Sequence, residues 1–91
     1  MNNEIKEFET YLALARRFDA TAMDKVLFCI FRGTNTPREI MDALRVTKGN
    51  LANYCKTLVV HGKIAREQSH GRNIFYTITA NGEKEIKRIL S

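Results

Sequence analysis

Ile5, Phe8, Leu12 and Ala15 recur at helical spacing, and Tyr11, Leu14 and Phe18 form a second apolar stripe beside them, which predicts a helix over Glu4 to Phe18. Two apolar faces are more than one small core consumes. One is expected to pack on the domain and the other on a partner subunit; the alternative is a single wide core stripe in a monomer. Thr21 with Asp24 three residues on marks the next helix start. That helix runs through the apolar stretch Val26 to Phe31 and stops at Gly33. Thr36-Pro37-Arg38-Glu39 is the clearest cap in the chain, with Thr at the cap, Pro at the first helical position and Glu at the third. It opens a short helix from Pro37 to Leu44.

Val46 occupies the turn that follows, and Thr47 caps a further helix closed by Gly62, a residue suited to the left-handed conformation past a C-terminus. Leu51, Tyr54 or Cys55, Leu58 and Val59 form its expected buried stripe. Lys63 to Gln68 and Asn73 to Ile78 read as two strands joined by Ser69-His70-Gly71-Arg72 in a hairpin. Thr79 caps the last helix, with Ile86, Ile89 and Leu90 on its apolar side, and Gly82 blurs where that helix begins. The order is four helices, a hairpin and a final helix.

Length and composition narrow the class. With 91 residues, 44% hydrophobic and 27% charged, the chain reads as one folded domain over 1–91. Its longest apolar run, Val26 to Phe31, is far below the roughly 18 residues of a membrane helix. The acidic start lacks the pattern of a secretory signal, so a cytoplasmic protein is expected. Cys29 and Cys55 form no CxxC; they read as small buried hydrophobes, with a structural disulfide as the alternative. No GK[ST] follows Gly33, and neither GxSxG nor HExxH occurs. His61, His70 and the cysteines are too scattered for a metal site. No enzyme activity, metal or cofactor is expected.

Charge placement says more than the total of +5. Residues 1–31 stand at −1, whereas residues 45–79 hold six basic side chains against one acid. Such a segment meets polyanions or is a solvated face. Two helices joined by a short turn, the second opening on Thr47, Lys48, Gly49 and Asn50, describe a helix-turn-helix. There the N-terminal turn of the second helix enters the DNA major groove, and bulk would hold it away from the bases. Asn50 and Asn53 suit adenine edges, while Lys48 and Lys56 suit phosphate. Taken alone, the two asparagines would read equally as ordinary exposed polar residues. The hairpin adds Lys63, Arg66, His70 and Arg72, and arginine is drawn into narrow A·T-rich minor grooves.

These residues carry a family resemblance. Gly62-Lys63-Ile64-x-Arg66, then Gly71-Arg72, then Tyr76-x-Ile78-Thr79-x-x-Gly82 resembles the wing and exit of winged helix-turn-helix regulators of the MarR and PadR type. Thr36-Pro37-x-Glu39-Ile40 with Leu44 and Val46 is similar to their brace helix and turn. The match spans roughly residues 26–82. The resemblance implies an α+β, mostly α fold: a three-helix core, a two-stranded wing and flanking terminal helices. It implies a homodimeric transcriptional regulator on pseudo-palindromic double-stranded DNA. Thr47, Lys48, Gly49, Asn50, Asn53 and Lys56 are then expected at the major groove, Arg66, His70 and Arg72 at the wing, and Arg38 of the brace helix on phosphate. Residues 1–20 and 80–91 are expected to dimerise through Ile5, Phe8, Tyr11, Leu12, Ile86, Ile89 and Leu90. The acid often found two residues before the wing arginine is His70 here, and the terminal helices are short, so no small-molecule ligand carries over. A winged helix serving protein contact, and an RNA or single-strand binder, are the alternatives.

Overall fold

In a computed structural model, residues 21–71 and 73–90 are described. The expected helix over Glu4 to Phe18, with Ile5, Phe8, Tyr11 and Leu12, lies outside them, as do Arg72 and the side chain of Leu90. The described elements are α1 (Ala22–Phe31), α2 (Pro37–Leu44), α3 (Lys48–Val60), β1 (Ile64–Gln68), β2 (Ile74–Ile78) and α4 (Ala80–Leu90). Each strand starts one residue later than its hydrophobic pattern suggests.

Every one of these helices begins behind a threonine. Thr21 Oγ1 accepts from the Asp24 N–H at 3.1 Å while Asp24 accepts from the Thr21 N–H at 3.3 Å, a reciprocal capping box. Thr36 and Thr47 accept from the Glu39 and Asn50 N–H groups at 3.3 and 3.2 Å. Thr79 does two things: it accepts from the Gly82 N–H at 3.0 Å and donates to the Gly62 carbonyl at 2.6 Å. The second bond ties the start of α4 to the end of α3. That end is closed by Gly62 at φ +71°, with the Lys63 N–H reaching back to the Leu58 carbonyl at 2.9 Å.

The core forms around α1, whose Val26 to Ile30 are all buried. A helix apolar on every side must be surrounded. Ile40 of α2, Leu51, Cys55 and Leu58 of α3, Ile64 and Tyr76 of the hairpin, and Ile86 and Ile89 of α4 close around it. The two strands pair antiparallel with Ile64 opposite Ile78 and Gln68 opposite Ile74, turning through Gly71 at φ +84°. The Tyr76 N–H leaves the ladder and donates to the Asn35 carbonyl at 2.9 Å, seating the hairpin on the loop before α2. The architecture is α+β and mostly helical: a helix-turn-helix on a third helix, with a two-stranded wing.

Several expectations change here. Ile86 and Ile89, expected at a dimer contact, are 1% and 4% exposed and belong to this chain's own core, because α4 packs on α1. Val59, expected to be buried, is 38% exposed, since the α3 stripe runs through Leu51, Cys55 and Leu58 with Tyr54 only half-buried. Cys29 and Cys55 are both buried and are not bonded to each other.

Candidate nucleic-acid interface

The turn between α2 and α3 is made by Arg45, a non-glycine residue at φ +56° whose N–H caps the Met41 carbonyl at 2.7 Å. It sends α3 off with its first turn outward. Thr47, Lys48, Gly49, Asn50, Ala52, Asn53 and Lys56 are all exposed, and the buried stripe runs through Leu51, Cys55 and Leu58. No acid occupies this first turn. At 3.6 residues per turn Gly49, Asn50, Asn53 and Lys56 share the side away from the buried stripe, whereas Thr47 and Lys48 are exposed because they stand at the helix end.

Gly49 stands apart from the other glycines. Gly33, Gly62 and Gly71 have φ of +99°, +71° and +84°, a region that strains other residues. Gly82 has no room: a Cβ there would lie 2.1 Å from the Lys63 carbonyl oxygen. At Gly49 a Cβ would meet nothing within 4 Å and the backbone is ordinary helix. A helical glycine costs roughly 0.5–1 kcal/mol against alanine. Nothing among the described residues requires that cost at position 49.

The wing residues divide. His70 is exposed at the hairpin tip, and Arg72 lies outside the described residues. Arg66 is exposed on β1, directly opposite Tyr76 on β2. With Cys55, Lys56 and Val60 of α3 these two line an open cavity of about 340 Å³ between helix and wing. Burial pushes the Cys55 thiol up, against a smaller downward pull from its bond with Tyr76. Burial also raises the Tyr76 phenol, helped by Cys55 and opposed by Arg66. The thiol therefore stays protonated at neutral pH and packs as a small hydrophobe. Arg38 is exposed near the start of α2, and His61 is exposed just past α3.

Lys63 departs from the basic ribbon that sequence suggested. Its Nζ lies 3.8 Å from Glu85 of α4, and Glu85 also accepts from Arg88, Nε at 3.3 Å and a second nitrogen closer. The Arg88 hydrogen bond holds the Glu85 carboxyl below its ordinary 4.5; burial opposes this and Lys63 adds to it. A depressed folded-state pKa gives stability that is present above about 4.5 and lost as pH falls below it. Glu85→Gln should therefore remove part of the fall in Tm between pH 6 and pH 3. The difference expected is under about 5 °C, because the pair is near the surface, and thermal melts at the two pH values check it.

Sequence reasoning missed Tyr76 as a partner of Arg66, because the expected four-residue turn would set Phe75 opposite Arg66 and the observed register sets Tyr76 there. It also missed the left-handed Arg45, for which no residue type gives notice. Among the described residues no group of three His, Cys, Asp or Glu side chains could hold a metal ion. No described helix is long and apolar enough to cross a membrane.

Helix-turn-helix, hairpin and returning helix together define the winged-helix class. Solved structures share this arrangement. MarR from E. coli superposes over 96% of this chain with a TM-score of 0.71 at 23% identity. A cysteine-to-serine mutant of that protein, complexed with operator DNA, gives 0.70 at 22% identity. The zinc-responsive MarR family member ZitR from Lactococcus lactis gives 0.69 at 13% identity over 93% of the chain. The chain spans 65% of the length of the first of these, 63% of the second and 70% of the third. No family model matches the sequence, and no curated protein does. The fold is that of the MarR winged-helix proteins.

Proposed function

We propose that this chain is a transcriptional regulator that binds double-stranded DNA as a homodimer and catalyses no reaction. The first turn of α3 enters the major groove, with Asn50 and Asn53 on base edges and Thr47, Lys48 and Lys56 on phosphate. Arg66, His70 and Arg72 approach the minor groove, and Arg38 braces the backbone. The single observation that carries this reading is the exposed, acid-free tip of α3 with a glycine that no described neighbour requires. A structural neighbour complexed with operator DNA supports it. Dimerisation rests on Ile5, Phe8, Tyr11 and Leu12, with Leu90, since Ile86 and Ile89 are taken up by the core. Two copies suit a pseudo-palindromic site.

The test is duplex binding at several salt concentrations, with solution mass measured alongside. If each protomer neutralises about four phosphates, log affinity should fall against log salt with a slope near −7 for the dimer, at about −0.9 per phosphate. Single-stranded oligonucleotides should compete poorly. A duplex slope near zero overturns the reading, and preferred binding to single strands favours a different nucleic acid.

A further inference from the structure

The hydrogen-bond pattern of the hairpin fixes how close Arg66 and Tyr76 come. Bonds from the Ser69 N–H to the Asn73 carbonyl and from the Thr79 N–H to the Lys63 carbonyl, each at about 3 Å, mark two bonded pairs of the register. Alternation then makes Arg66 and Tyr76 a non-bonded pair, the kind in which facing side chains stand closest. The Tyr76 N–H agrees, because it turns outward to Asn35. Both side chains lie on the face that holds the buried Ile64, toward α3. There Tyr76, Arg66 and Cys55 line one cavity, with the phenol facing the guanidinium across the hairpin and interacting electrostatically with it and with the thiol. One phenol thus lies between the wing and the helix proposed to read DNA.

Resting on the duplex reading above, we propose that Tyr76 is a positioning residue. Its hydroxyl holds the Arg66 guanidinium at the junction of α3 and wing, aimed at a phosphate between the two grooves. Arg66 lines an open cavity and has a long, entropically costly side chain, so without an anchor it would sample many rotamers. The anchor comes from a side chain 9% exposed, itself fixed by the core. Ordering completed during folding does not have to be repeated on binding. Cys55 makes the link three-membered, so α3 and the wing meet the duplex as one rigid unit.

Tyr76→Phe keeps the ring and removes the hydroxyl. Duplex affinity should fall about tenfold and the salt slope of the dimer should flatten by one to two, because each protomer then neutralises one phosphate fewer, at about 0.9 apiece. The Tm should stay within a few degrees of wild type. Arg66→Ala should weaken binding equally, and the double variant should bind little worse than either alone, as expected of residues acting through one interaction. Arg66→Lys, at an exposed site, keeps the charge without the planar fork and should also lower affinity. If Tyr76→Phe binds with wild-type affinity and slope, or lowers Tm with an unchanged slope, the positioning role is wrong while the duplex reading stands. The same holds if Arg66→Lys binds like wild type. A wild-type protein with no salt-dependent duplex binding removes both.

Discussion

Gly82→Ala is expected to destabilise the protein by about 3 kcal/mol or more, lowering its Tm by about 15 °C. Helix propensity alone predicts the opposite sign, a gain of up to about 1 kcal/mol for alanine inside α4. Sterics decide the matter. The new Cβ would stand 2.1 Å from the Lys63 carbonyl oxygen, 2.7 Å from Ile78 Cγ1 and 3.1 Å from the Lys63 carbonyl carbon. Two of those three atoms are backbone, so no rotamer change relieves the clash. Retreat of α4 would instead break the bond from Thr79 to the Gly62 carbonyl and draw Ile86 and Ile89 out of the core. Small domains hold only about 0.05–0.15 kcal/mol per residue, so this loss is a large share of the whole. Urea titration followed by circular dichroism measures it. A variant with a wild-type midpoint would mean that α4 does not seat against the turn after α3 in solution.

That glycine also shows where sequence reading stops. From composition it looks like a weak spot near a helix start, because its neighbour at 2.1 Å lies nineteen positions earlier in the chain. Local chemistry was legible: the threonines at 21, 36, 47 and 79 and Gly62 have their capping atoms within a few residues, and the helices begin and end where those residues stand. Long-range geometry was not. Lys63 reads as part of a basic ribbon until α4 brings Glu85 to it. Ile86 and Ile89 form an apolar stripe whose destination, own core or partner, no periodicity distinguishes. The helix tip was legible because its residues share one turn. The Arg66 and Tyr76 junction was not read, because it needs the hairpin register.

Position 49 should respond to the same methyl group with the opposite sign in stability and a large fall in binding. Gly49→Ala adds a Cβ into open space on an ordinary helical backbone, so the fold should gain up to about 1 kcal/mol. Duplex affinity should nevertheless drop, by roughly tenfold, and Gly49→Val should lower it by about a hundredfold or more while the protein stays folded. Interactions in the groove are short-ranged. A side chain that lifts the tip of α3 by an ångström weakens Asn50 and Asn53 together, each worth about 1–3 kcal/mol of discrimination when well placed. On the proposed duplex reading the salt slope should change less than the affinity, because Lys48 and Lys56 would still reach phosphates through flexible stems. Affinity and melting temperature measured on one set of proteins separate the two effects. If the valine variant binds its duplex as tightly as the glycine protein, another surface of the molecule faces the DNA and the tip of α3 does not enter the groove.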